Sequence, residues 1–205
     1  VYNVHGDVYV VHMTEPGTAE RVASAALAIL LEEGAQAVTM RRVAADAGVT
    51  TMATYRHYPN RETLLRAVAD TAFAELAKDW GNRGAGGDFE SRIHELMHGF
   101  LDFALGKPNL YSFLITDRRE GVRQFPEDFR SSDSPALGPV IEVVEQGMRE
   151  QVLAEDDALE VTLAITMPVV GLTQLYLGGR IGLSEEEFRR LCAKTVGRVL
   201  NGLKH

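Results

Sequence analysis

Residues 39–65, TMRRVAADAGVTTMATYRHYPNRETLL, decide the fold. Met40, Val43, Ala44 and Ala47 recur at helical spacing and the run stops at Gly48. A second short helical segment covers Thr50 to Tyr58, and Pro59 ends it because a residue before proline is pushed out of the α region. Asn60 then caps a longer helix with Leu64, Leu65, Val68, Ala72, Phe73 and Leu76 on one face. Two short helices joined by a turn on Gly48 read as a helix-turn-helix. Glycine takes positive φ there without a Cβ penalty, Ala44 lets the helices approach, and Val49 plugs the turn into the core. A generic corner of two helices has the same spacing, so spacing alone leaves both readings open.

Charge separates them. The 205-residue chain carries a formal net charge of -8, which taken whole discourages contact with a polyanion. Between Thr39 and Arg61, however, stand Arg41, Arg42, Arg56 and Arg61 against Asp46 alone, whereas from Ala67 onward 22 acidic residues face 15 basic ones. Thr50, Thr51, Thr54, Tyr55 and Tyr58, with His57, gather hydroxyls and an imidazole in the basic segment. Such donors at a helix N-terminus suit phosphates and base edges.

Outward from this stretch the pattern stays helical. Thr18 is placed to cap a first helix with Val22, Ala26, Ile29 and Leu30 inward and Gly34 as its stop. Residues 1–17 are expected to be a flexible arm, with Met13 as an alternative start. Four glycines within 81–87 predict a break, followed by helices near 88–106, 108–121, 135–152, 156–178 and 184–203 and an exposed loop over 123–134. Ser184 and Glu187 have capping-box spacing. The expected fold is all-α, about nine helices: a helix-turn-helix module over 18–65 and a helical bundle over 66–205. The single cysteine, Cys192, excludes an intramolecular disulfide and a cysteine zinc site, and a cytoplasmic location is expected. The uncharged run 161–179 contains Thr162, Thr166, Pro168, Thr173 and Gln174 and reads as a buried helix rather than a membrane span.

With Val43-Ala44, Ala47-Gly48-Val49, Tyr55, His57-Tyr58, Arg61 and Leu64-Leu65 in place, the chain resembles the TetR (tetracycline-repressor-like) family of transcriptional regulators over about residues 18–70. The family usually has a bulky apolar residue at the position of Thr54 and a lysine at that of Arg61. The resemblance implies that Thr50, Thr51, Met52 and Ala53 face the groove of double-stranded DNA. Tyr55 and His57 would touch phosphates, Thr39 with Arg41 or Arg42 would hold the backbone, and Arg61 would clamp a phosphate. Met52 and Ala53 offer only apolar readout, such as contact with thymine methyls.

The same resemblance implies dimerisation and sensing in the bundle. Val161, Ile165, Val169, Leu172 and Leu175 on one helix and Phe188, Leu191, Thr195, Val199 and Leu203 on the next are the expected homodimer face, presenting two heads to a palindromic operator. Monomer core is the competing reading of both stripes. Met97, Phe100, Leu101, Phe103, Tyr111, Phe113, Leu114, Met148, Met167 and Gln174 are candidates for lining an apolar site for a small apolar or amphipathic effector, with plain core packing the alternative for each. His94, His98 and Asp102 share a helix face, but no metal site or cofactor is read from them. Pro168 is expected to kink its helix. No phosphate loop, HExxH, GxSxG or dinucleotide fingerprint supports the rival reading, an all-α enzyme with a carboxylate or histidine site. A second rival is a DNA-binding regulator without an effector.

Overall fold

The computed structural model describes residues 17–117, 124–129 and 137–204, and these are helical with no strand. The expected arm up to residue 16, the end of the helix expected to reach 121, most of the loop at 123–134 and the start of the helix expected from 135 lie outside the described residues.

Helix α1 (Thr18–Glu33) begins one residue earlier than a cap at Thr18 requires, with Gly17 at the cap and Thr18 already helical. It buries Val22, Ala26, Ile29 and Leu30 against α2 (Met40–Asp46), α3 (Thr51–His57) and α4 (Arg61–Arg83). The Asn60 side chain caps α4 by accepting the Thr63 N–H at 2.7 Å. At 23 residues α4 extends about 34 Å. Its first turns fill the head's core through Leu64, Leu65 and Val68, and its last turns place Trp80 in the bundle. The division expected at residue 65/66 therefore falls inside one unbroken helix. Gly81 is helical, so the break begins at Gly84.

The bundle consists of α5 (Phe89–Gly106), α6 (Pro108–Tyr111), α7 (Gly138–Arg149), α8 (Ala158–Leu177) and α9 (Glu185–Leu203). Beyond Tyr111 the α6 backbone widens over Ser112–Thr116, where the Asp117 N–H reaches the Ser112 carbonyl at 2.8 Å. Two glycines set close approaches. A Cβ on Gly147 of α7 would stand 2.7 Å from the Phe89 ring, and one on Gly99 of α5 would stand 2.7 Å from Arg83 Cδ and 3.1 Å from Trp80 Cδ1. Helix α8 continues through Pro168. The Ser184–Glu187 capping box forms at the start of α9.

Candidate nucleic-acid interface

Helices α2 and α3 are short, and each is held by a threonine cap. The Thr39 side chain accepts the Arg42 N–H at 3.3 Å, and that of Thr50 accepts the Ala53 N–H at 3.1 Å. Between them Gly48 has φ +63°, and the Val49 N–H closes the turn on the Ala44 carbonyl at 2.9 Å. Thr54 fills the buried position behind α3, its hydroxyl donating to the Thr50 carbonyl at 3.4 Å. Tyr58 turns inward, and its hydroxyl donates to the Ala19 carbonyl at 3.3 Å.

The opposite face of α3 is open. Met52 is 75% exposed and Tyr55 46%, with Arg56 and His57 also exposed and Thr51 and Ala53 half-buried beside them. Met52 is thus a large apolar side chain left in solvent on a short, threonine-capped helix. Arg21, Arg41, Arg56 and Arg66 are exposed and have no ion pair among the described residues. Arg56 had been passed over, although it is the one arginine inside the α3 segment.

Two arginines read as backbone-holding groups are committed elsewhere. Arg42 forms a two-point ion pair with Glu33 and lies 3.8 Å from Asp46, and the guanidinium bonded to it holds the Glu33 carboxyl below the usual carboxylate range. Arg61 Nε–H donates to the Val38 carbonyl at 2.7 Å, and its Nη2 donates to the Ala35 carbonyl. In the free chain the Arg61 guanidinium, expected as a phosphate clamp, instead brackets the turn after α1: it shares the Ala35 carbonyl with the Val38 N–H, which lies at 3.2 Å, and takes the Val38 carbonyl.

The expected dimer stripe also needs correction. Val161, Ile165, Val169 and Phe188 are at most 4% exposed within one chain, so they belong to the monomer core. Leu172, Leu191, Thr195, Val199 and Leu203 are half-buried and Leu175 is 45% exposed. The exposed positions of α8 are Glu160, Ala164, Met167, Gly171, Gln174, Leu175 and Leu177, with Gly178 just past its end, so of the expected stripe on this helix only Leu175 is exposed. Helix α8 is the most apolar helix and is long enough to cross a membrane by length and composition, yet it packs against α5, α7 and α9.

Among the expected effector contacts, Met97, Leu101, Phe103, Tyr111, Phe113 and Leu114 are buried and Phe100 is half-buried. Met167 departs from the expectation: at 44% exposure it lies on the outer side of α8. Met148 lines an open surface cleft with Glu145, Arg149 and Asp156. Gln174 is exposed overall, but its side chain acts on Tyr111, whose phenol is pushed up from its ordinary pKa by burial and drawn back by that amide. The sequence reading missed Trp80, which stands against Phe100 and Phe103. Asp102, once grouped with His94 and His98, is held by Arg83 at 3.1 Å and Arg189 at 2.9 Å and so joins α4, α5 and α9.

Residues 22–68 match the family described as bacterial regulatory proteins of the tetR family, and residues 93–199 match the tetracyclin repressor-like C-terminal domain. The nucleoid occlusion factor SlmA of Pasteurella multocida (strain Pm70) is 31% identical over 87 residues, 40% of this chain and 42% of that protein. The HTH-type transcriptional repressor DrrR1 of Streptomyces coeruleorubidus is 28% identical over 194 residues, 89% of this chain. The chain spans 64% of DrrR1's length. The crystal structure of the transcriptional regulator FadR from Bacillus subtilis in complex with stearoyl-CoA superposes with a TM-score of 0.71 at 12% identity, over 89% of this chain and 98% of that one.

Proposed function

The chain belongs to the TetR family of transcriptional regulators, and from that premise we propose that it is a repressor that holds a palindromic operator as a homodimer and releases it when a small molecule enters the bundle. The observation that carries this reading is the unsatisfied outer face of α3: Met52, Tyr55, Arg56 and His57 exposed on a helix whose opposite side is locked by the buried Thr54. In a major groove, Met52 and Ala53 meet thymine methyls, Thr51 meets a base edge, and Tyr55, His57 and Arg41 meet phosphates, with Arg56 added to that set. Thr39 and Thr50 cap their helices through oxygen lone pairs and keep their hydroxyl protons for phosphates.

The outer face of α8 supports dimerisation. A strongly apolar helix that leaves Ala164, Gly171, Leu175 and Gly178 in solvent loses apolar burial that a second copy restores, and the small residues let the two α8 helices approach closely. Few unpaired arginines per head make operator affinity depend on two heads acting together.

Release requires the ligand to favour the conformation that fits DNA less well. Two elements lead from bundle to head: α4, which is continuous, and α6, where the Asn109 amide donates to the Leu31 carbonyl of α1 at 3.0 Å. The test is binding of the purified chain to a palindromic duplex selected from a random library. A steep salt dependence is expected, with Tyr55→Ala weakening binding about tenfold or more and Arg41→Ala reducing the salt slope by about one. Full affinity in both variants would remove α3 from the interface.

A further inference from the structure

Two arginines each follow an acidic residue by one helical turn: Arg83 after Asp79 at the end of α4, and Arg189 after Glu185 near the start of α9. That order suits a pair on one helix, and each Nε–H is bound to its own helix's carboxylate at 2.9 Å. Each Nη1 then donates to a different oxygen of a single carboxylate on α5, from Arg83 to Asp102 Oδ2 at 3.1 Å and from Arg189 to Asp102 Oδ1 at 2.9 Å. Five charges form one chain across three helices.

Helix α5 is shaped for this crossing. Gly99 and Asp102 are three positions apart and share a face. A Cβ on Gly99 would stand 2.7 Å from Arg83 Cδ, so the arginine stem passes over bare backbone there and its end reaches Asp102. The Arg83, Asp102 and Arg189 side chains are 34%, 47% and 25% exposed, and water screens such pairs too well for them to add much stability. What they fix is direction, because a guanidinium held on two sides cannot turn freely.

The far end of the chain of contacts reaches the proposed interface. Phe188, the neighbour of Arg189 in sequence, is fully buried and stacks on Tyr176 of α8 with ring centroids 4.1 Å apart and planes 12° from parallel. Tyr176 adjoins Leu175 on the outer face of α8. Contacts therefore run from that face through α9 and Asp102 to the end of α4, whose other end packs in the head. Helix α4 is about 34 Å long, so a swing of about 5° at its Arg83 end moves the head by about 3 Å, close to the rise of one base pair.

We infer that Asp102 is a positioning residue for operator binding: by holding the end of α4 to α9 it fixes the separation of the two heads and so selects the spacing of the operator half-sites. The inference rests on the dimeric operator-binding reading above.

The full chain is assayed by fluorescence anisotropy on the selected palindromic duplex and on the same duplex with one base pair added to or removed from its centre. The wild-type chain should prefer the selected spacing by at least about tenfold. Asp102→Asn and, separately, Arg189→Gln should reduce that preference to about threefold or less while lowering Tm by less than about 4 °C. Both substitutions break one bridge, so the double variant should lose no more than either alone. Glu90→Gln is the control: it breaks the pair with Lys204, which also joins α5 to α9 but does not involve α4, and it should leave the preference intact. An unchanged preference in Asp102→Asn or Arg189→Gln, losses that add in the double variant, or an equal loss in Glu90→Gln overturns the proposal. If Asp102→Asn does not fold, Arg189→Gln decides; if neither folds, the bridge holds the fold rather than the spacing and the proposal falls. A wild-type chain that binds no palindrome removes the operator reading itself. A wild-type chain that binds one but accepts all three spacings equally, or whose preference survives both substitutions, leaves that reading standing and removes only the role of Asp102.

Discussion

Arg61 allows the bracket and the phosphate clamp to be separated by measurement. In the structure its guanidinium donates to the Val38 and Ala35 carbonyls, and Glu62 lies 3.9 Å from Nη1. A hydrogen bond involving a charged group contributes about 1.5–3 kcal/mol when well buried. The Arg61 side chain is 32% exposed, so water replaces part of what Arg61→Ala removes, and a net loss of about 2 kcal/mol is expected. For a chain of this size that lowers Tm by about 4–8 °C if the head melts with the bundle. Operator affinity measured by fluorescence anisotropy well below Tm should change by less than about threefold, with an unaltered salt slope. Arg61→Lys sharpens the contrast, because one ammonium cannot bridge two carbonyls but does hold a phosphate. A clamp predicts that lysine restores affinity; a bracket predicts that lysine restores only part of the lost stability. The reasoning is refuted by an Arg61→Ala protein with unchanged Tm, an affinity at least about tenfold weaker and a salt slope smaller by about one.

Three further outcomes follow from the packing and the caps. Gly147→Ala drives a Cβ into the Phe89 ring at 2.7 Å and should cost about 1–3 kcal/mol in urea unfolding; Gly99→Ala, whose tightest neighbour is the flexible Arg83 stem, should cost less, and the reverse order would contradict the packing. The Asp88 and Glu187 carboxyls have pKa values lowered by hydrogen bonds at the starts of α5 and α9, first from the backbone N–H groups of Ser91 and Ser184. A lowered folded pKa gives stability that is present above the unfolded value of about 4 and is lost as pH falls through the folded value, so the urea midpoint should hold from about pH 7 to about pH 5 and decline below; Asp88→Asn and Glu187→Gln together should flatten that decline, and an equally steep decline in the double variant would remove both caps as its cause. Leu175→Glu should convert the dimer to a folded monomer in sedimentation, whereas Ile165→Glu, at 2% exposure, should unfold the chain; a folded Ile165→Glu monomer would return the interface to the inner stripe.

The head was legible because its signals are local. A glycine at φ +63°, a proline after Tyr58 and hydroxyl or amide caps at Thr39, Thr50 and Asn60 act within a turn of their own positions, so their spacing fixed where the helices lie. Partnerships across the fold were not legible. Arg42 and Glu33 are nine positions apart, Arg61 and Ala35 twenty-six, and no periodicity tells a phosphate-facing arginine from one that closes a turn. Trp80 escaped notice for a related reason: its role depends on Phe100, Phe103 and Tyr111 converging from two other helices.

Helix α8 shows why the buried and exposed faces of an apolar helix were not legible in the sequence. Apolar side chains surround the whole helix, so the 3.6-residue period has no phase, and choosing the largest residues selects Val161, Ile165 and Val169, the monomer core. Two other features carry the phase. Thr162 and Thr173, the buried polar residues of α8, lie three turns apart on the inner side, and Ala164, Met167, Gly171 and Leu175 lie on the outer side. A glutamate at the 2% exposed Ile165 is forced into the monomer core, whereas one at the 45% exposed Leu175 meets only solvent or the proposed partner helix, so the two substitutions should have opposite outcomes although both fall on the same helix.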